Sequence, residues 1–258
     1  MQFESRTVLR ARSTRRLIAL TGTAVIVGLT ALGGGAAPAL ADPSVASSTA
    51  SNGVIAVDEA SPITRVSLND RFMTQIVASD PSMGAAFYRP TELDGATNTA
   101  IHAVDSTGTL LFDSKTMAYT GTQDAGGSGT PSDPFWLQTT ASTIGSHSIS
   151  QRHNYTVGND FTRSDLTFTN RSGSAQEIKL SAWGDCYFAG SDKGYSAVDS
   201  THQIATCTHG PDGPTMSFVS LSPGSSVAAG YYSMVRNLAL LDYSPLPNAC
   251  APADCDLF

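Results

Sequence analysis

Short β-favouring runs separated by turn residues recur along this chain after residue 52, and helical periodicity is scarce. The runs at 53–57, 63–68, 72–77, 85–88, 100–104, 109–112 and 135–140 are rich in Val, Ile, Thr, Phe and Leu. Asp80-Pro81, Asp94-Gly95, Ser106-Thr107-Gly108 and Ser132-Asp133-Pro134 punctuate them. β-Branched and aromatic side chains suit a pleated, half-buried surface, whereas Gly, Pro, Asp and Ser supply the bends. Many short strands with regular turn signals predict an all-β chain, an antiparallel β-sandwich of immunoglobulin-like or larger supersandwich size. The longest connection, 121–134, contains Gly126-Gly127-Ser128-Gly129 and reads as a loop. It lacks G-K-[ST] and G-x-G-x-x-G, so it is not a phosphate cradle.

Residues 161–183 give the sharpest local expectation. Leu166 and Phe168 alternate with Thr167 and Thr169, and Ile178, Leu180 and Ala182 alternate with Lys179 and Ser181. The five residues 171–175 between them fit a hairpin connection. Period two then sets the register: Phe168 beside Ile178 and Leu166 beside Leu180 on the buried face. The same register places Arg163 opposite Trp183 on the outer face, as a cation–π stack.

The first 41 residues carry a different pattern. Five arginines (Arg6, Arg10, Arg12, Arg15, Arg16) face one acid, Glu4, and an apolar run follows at 17–32, ending in small residues up to Ala41. A basic start, an apolar core and a small-residue end describe a cleavable export signal at 1–41. The run is shorter than the roughly 20 apolar residues a membrane span needs. Arg15-Arg16 suggests the twin-arginine route. Residues 42–52, rich in Ser, Ala and Thr, read as a flexible leader. Residues 53–258 are then the β-sandwich region, with halves at 53–145 and 146–258 as the finer division. A secreted, extracellular product with no transmembrane segment after signal removal is expected.

Compartment and charge constrain the rest. Of 258 residues, 217 follow Ala41, and losing five arginines and one glutamate moves the net charge from −7 to −11. Such a surface repels phosphate backbones, so nucleic acid is a poor partner. In an exported chain, Cys186, Cys207, Cys250 and Cys255 read as disulfides. Of three pairings, Cys186–Cys207 with Cys250–Cys255 closes two short loops and is the expected one. Zinc is the rival, but no C-x-x-C pair is present. The chain stops soon after Pro245-Leu246-Pro247 without an obvious closing strand, which reads as a shortened version of a longer protein.

Leu166-Thr167-Phe168-Thr169-Asn170-Arg171-Ser172-Gly173-Ser174 and Leu221-Ser222-Pro223-Gly224-Ser225-Ser226 resemble the hairpin corners of bacterial immunoglobulin-like surface modules. The likeness covers residues 160–235 and implies a sandwich fold rather than an activity. The segment Asp185-Cys186-Tyr187-Phe188-Ala189-Gly190-Ser191-Asp192-Lys193-Gly194-Tyr195 departs from that pattern and resembles a stretch of uncharacterised secreted actinobacterial proteins, a likeness that implies no chemistry.

Two sites are expected in that departure. Asp185, Asp192 and Asp199 recur at seven-residue spacing and are the candidate calcium ligands, since calcium gathers six to eight hard oxygens. Trp183, Tyr187 and Tyr195 are the candidate ligand-binding platform, aromatic faces being what a sugar stacks on. No G-x-S-x-G, S-x-x-K or H-E-x-x-H is present. No catalytic residue is therefore assigned, and the expected role is non-enzymatic binding of a polysaccharide or another cell-envelope component. The alternative is an extracellular hydrolase or sugar-modifying enzyme using two carboxyls, with Glu92, Asp94, Asp160 and Asp185 as its candidates.

Overall fold

A computed structural model describes residues 2–10, 20–30, 48–51, 53–58, 60–88, 99–119, 121–142, 147–187, 190–191, 195–209, 213–223 and 225–230; for 2–10 and 20–30 it describes the backbone alone. Every element in it is a strand, seventeen in all among the described residues. They are β1 (Gln2–Arg10), β2 (Leu20–Thr30), β3 (Thr49–Ser51), β4 (Val54–Ala56), β5 (Ile63–Leu68), β6 (Thr74–Ala78), β7 (Thr99–Asp105), β8 (Leu110–Asp113) and β9 (Thr122–Gly126). The later ones are β10 (Phe135–Ser142), β11 (His147–Tyr155), β12 (Phe161–Asn170), β13 (Glu177–Gly184), β14 (Tyr195–Asp199), β15 (Ile204–Thr208), β16 (Thr215–Ser220) and β17 (Val227–Gly230). The all-β reading of the sequence stands. The apolar runs at 63–68, 100–104, 109–112 and 135–140 lie within or overlap β5, β7, β8 and β10.

The strands form three antiparallel sheets. One has five strands in the order β17-β1-β13-β7-β8, one has eight in the order β14-β15-β16-β2-β12-β11-β10-β9, and one has four in the order β3-β4-β5-β6. The two larger sheets draw strands from both sides of residue 145, so the finer division at that point does not separate them. The segment expected to be an export signal supplies the backbones of β1 and β2. β1 pairs with β13 and β17, and β2 with β12 and β16.

Two apolar clusters join the sheets. In one, Ile55, Val66, Leu68 and Ile76 of the four-stranded sheet meet Phe135, Leu137, Tyr155 and Met216 of the eight-stranded sheet. In the other, Ile101, Ala103, Ile178 and Leu180 of the five-stranded sheet meet Ile149, Leu166 and Phe168 of the eight-stranded sheet. Alternation explains the selection: along β10 and β11 every second residue is buried, because a pleated strand turns successive side chains to opposite faces. Fully burying one such aliphatic or aromatic side chain contributes about 1.5–3 kcal/mol.

The expected hairpin at 161–183 is overturned. β12 lies in the eight-stranded sheet and β13 in the five-stranded sheet, so the connection between them crosses from sheet to sheet. Phe168 pairs with Ile149 instead of Ile178. Leu166, Phe168, Ile178 and Leu180 still share one core, now as facing walls. Period two dictates which side of a strand is apolar, and both a hairpin and a crossover satisfy it. The turn itself is built as its residues suggest. Asn170 Oδ1 accepts from the Ser172 backbone N–H at 2.9 Å, Asn170 Nδ2 donates to Ser174 O at 2.8 Å, and Gly173 takes a φ of +79°. A side-chain carbonyl that closes its own turn is the usual use of Asn there.

Two further expectations change. The 121–134 loop contains a strand, β9, at the edge of the eight-stranded sheet and paired with β10. Its Thr-Gln-Asp-Ala-Gly sequence has little β propensity, so pairing rather than local preference makes it extended. The disulfide expectation stands for one bridge: Cys186 and Cys207 are joined, while Cys250 and Cys255 lie outside the described residues. The bridge closes a separation of 21 residues and contributes about 3 kcal/mol by restricting the unfolded chain. Cys186 follows β13, and Cys207 lies in β15, so the bond ties the five-stranded sheet's side to the eight-stranded sheet.

Candidate functional site

The inward and outward faces of β10, β11 and β12 differ sharply. Inward lie Leu137, Ile149, Leu166 and Phe168, all buried. Outward, the register aligns three rows across the strands. The first holds Trp136, Asn154 and Arg163, the second Gln138, Arg152 and Asp165, and the third Thr140, Ser150 and Thr167. β9 extends these rows with Gly126, Asp124 and Thr122. Across β9–β12 no aliphatic side chain stands in these rows, which are otherwise amide, hydroxyl, carboxylate and guanidinium around one indole.

These side chains hold one another in place. The guanidinium carbon of Arg152 lies 4.2 Å from the Trp136 ring centroid, a cation–π contact of about 0.5–1 kcal/mol at a half-exposed site. Arg152 Nε donates to Asn154 Oδ1 at 3.2 Å. Asn154 Nδ2 donates in turn to Asp165 Oδ2 at 3.2 Å. Arg163 closes the chain, with Nε at 2.9 Å and Nη2 at 2.8 Å from Asp165 Oδ1. Trp136 has room because its neighbour on β9 is Gly126: a Cβ there would come within 2.9 Å of the indole. The glycine lets the ring lie over the edge strand, and any larger residue would push it off.

Behind the same strands is a buried polar layer. His153 Nε2 lies 3.0 Å from Thr74 Oγ1 and 3.0 Å from Gln151 Nε2. Gln151 Nε2 also donates to Ser164 Oγ at 3.2 Å. Burial holds the imidazole of His153 down to about 4, so it is neutral at physiological pH. These groups border a cavity of about 40 Å³ beside Phe87, Leu166, Trp183 and Phe218. A water needs about 10–15 Å³ by that measure. The cavity has space for a few waters and none for a sugar.

A second buried pair lies in the five-stranded sheet. His102 Nε2 is 3.2 Å from Asp113 Oδ1, with both side chains almost wholly enclosed. Asp113 also accepts from Lys115 N at 2.8 Å and from the Thr116 hydroxyl. Although burial opposes ionisation, the bonds from His102 and Thr116 and the His102 charge hold the carboxyl far below the usual range. Enclosed on every side, this pair positions β7 against β8 and has no approach for a substrate.

The residues expected to form the site are distributed differently. Trp183 is only 2% exposed. It lies beside His102 at 6.1 Å between ring centroids and under Lys115 Nζ at 5.1 Å, so it offers no face to a sugar and does not meet Arg163. Alternation gave Trp183 the outer face of β13, but that side of the five-stranded sheet is itself covered: Ser181 and His102 beside it are buried as well. Tyr187 is half-buried with its edge against Tyr88 at 5.4 Å, and Tyr195, half-buried, begins β14.

Asp185 is 2% exposed, and its backbone carbonyl accepts from Tyr88 N at 2.9 Å. Asp199 is exposed and engaged in its own turn, accepting from Thr201 N at 2.9 Å and meeting His202 Nδ1 at 2.6 Å. Asp192 lies outside the described residues. Among the described residues no group of three His, Cys, Asp or Glu side chains converges as a metal site. Of the acids considered for hydrolysis, Asp160 is exposed and Asp185 buried, and Glu92 and Asp94 lie outside the described residues.

The sequence reading missed Trp136. The alternation Trp136, Gln138, Thr140 against Phe135, Leu137, Thr139 was available to find it. No family model, curated protein or solved structure matches the chain.

Proposed function

We propose that this chain is an exported, non-catalytic binding protein and that the outer face of β10–β12 is its saccharide-binding surface. One observation carries the reading: an indole bordered by a connected Arg–Asn–Asp–Arg ladder, with no aliphatic side chain in the rows these strands share with β9. Sugars present an apolar C–H face and a rim of hydroxyls. An aromatic ring suits the first, and groups with both donors and acceptors suit the second. The ladder is pre-ordered by its internal hydrogen bonds, which lowers the entropy lost on binding.

The signal-like pattern of residues 1–41 supports the same reading, as does the acidic, disulfide-bonded character of the chain. An envelope or adhesive role follows if the ligand is anchored there.

Affinity electrophoresis in gels containing cellulose derivatives, xylan, galactan or polyuronate tests the proposal. Retardation by at least one polymer, lost in Trp136→Ala with the melting transition retained, is the expected result. Equal mobility of the native chain in every gel refutes the reading, and hydrolysis of any polymer refutes its non-catalytic part. Export is checked by the mass of the product in the culture medium: a start at Asp42 supports it, although the cleaved chain must then do without the pairings of β1 and β2, and a product that retains residues 1–41 refutes it.

A further inference from the structure

We infer that the saccharide this face takes carries a carboxylate, as a hexuronic acid does, and that Arg152 is the group that recognises it; the inference rests on the saccharide-binding reading above. Two guanidinium groups occupy the face, and they are in opposite states. Arg163 is neutralised: both its Nε and its Nη2 reach Asp165. Arg152 is not. It stands directly across from Asp165 in the register, yet that carboxylate is committed to Arg163 through Oδ1 and to Asn154 through Oδ2. The contacts of Arg152 are the Trp136 ring and the neutral Asn154 carbonyl oxygen. Its Nη groups make no hydrogen bond among the described residues. Asp124, the other acid of the row, is separated from Arg152 by the strand that carries Gln138, and its Oδ1 accepts from the Ala125 backbone N–H.

A guanidinium fixed at Nε and stacked on one face presents its two Nη groups as a planar fork. A carboxylate matches that fork with two parallel hydrogen bonds. A tetrahedral phosphate or sulfate would call on further donors, and the flanking residues are Gln138, Ser150 and Thr140, neutral groups suited to hydroxyls. Charge complementarity is therefore local and single: one unneutralised cation for one monoanionic sugar. The net charge, −7 for the whole chain and more negative once the five arginines of residues 1–41 are removed, opposes any polyanion at long range, so retention of a uronate would have to come from this contact rather than from general attraction.

Titration calorimetry of the full chain with a galacturonate oligomer and with its full methyl ester separates the cases, because the two ligands differ only in the carboxylate. At least tenfold tighter binding of the free acid is expected. The advantage should vanish in Arg152→Gln and shrink in Arg152→Lys, which keeps the charge without the fork. Circular dichroism melts confirm that both variants fold. An unchanged preference in Asp165→Asn would show that Arg163, which this change frees, is not the reader. Equal affinity for acid and ester, or binding confined to neutral polysaccharides, overturns the inference while leaving the saccharide reading intact. No binding to any saccharide overturns both, and equal competition by inorganic sulfate overturns the planar-fork argument.

Discussion

The two faces of β10–β12 carry polar groups of similar kinds and use them for opposite ends. On the inner face, Gln151, His153 and Ser164 are buried with Thr74 and hydrogen-bond to one another, leaving Gln151 Oε1 and His153 Nδ1 without a partner among the described residues. Each further polar group left there without a partner costs about 1–3 kcal/mol, so the bonds this layer does make tie it to the fold. On the outer face, Asn154, Arg152 and Asp165 are also linked, but water can replace any lost partner. The difference teaches that a hydrogen-bonded network is not in itself a sign of function. Exposure, and a group whose charge is left unmatched, are why the outer network is the one for which a ligand is proposed.

The contrast can be broken by substitutions on adjacent positions of one strand. Phe168→Ala, on the inner face, should cost about 3–5 kcal/mol in urea unfolding. Its neighbour Thr167→Ala, facing out, should stay within about 0.5 kcal/mol. Comparable losses at the two positions would mean that the outer face is covered.

Acid sharpens the comparison next. The unfolded chain titrates His153 near 6.5 and the folded chain near 4. Between those values the unfolded chain binds a proton that the folded one refuses. The stability present above pH 6.5 therefore drains away as pH falls toward 4, by about 3 kcal/mol at ~1.4 kcal/mol per unit. Urea unfolding at successive pH values should show this limb in the native chain and a flatter one in His153→Gln.

Smaller effects belong to the outer face. Trp136→Ala should lower stability by about 1 kcal/mol, the scale of one exposed cation–π contact, while saccharide retention is lost. Asn154→Ala, which frees Arg152 Nε, should cost only a few tenths of a kcal/mol and weaken binding through a looser guanidinium. A stability loss larger than that at Inner-face Ser164→Ala would invert the ranking of the two networks.

Much of the fold was legible because period two is a strong local signal. Ile63 to Leu68 emerged as β5, and the short loop between Cys186 and Cys207 identified their bond. Partner choice was not legible, since alternation is blind to which strand lies alongside. That is why Phe168 was matched with Ile178 across a hairpin that does not form, and why Trp183 was placed beside Arg163. The Asp-rich stretch misled for a related reason: Asp199 caps a turn, and turn chemistry and cation chemistry ask for the same residue. β9 escaped notice because Gln123 and Asp124 are extended only by pairing with β10. The indole at Trp136 was within reach of alternation, but the arginine that completes the site arrives from another strand.

The crossover after β12 gives the molecule a mechanical property. Strands adjacent in sequence stand on opposite walls of the core, so drawing the two sheets apart loads the short backbone segment between Asn170 and Glu177 directly. The Cys186–Cys207 bond supplies a second, covalent strap between the same walls. Chain that would otherwise unravel under tension is shielded by two tethers in parallel, one of which a reductant can cut. Under pulling force the oxidised chain should therefore yield a shorter extension on rupture than the reduced one, with the 21-residue span as the hidden length.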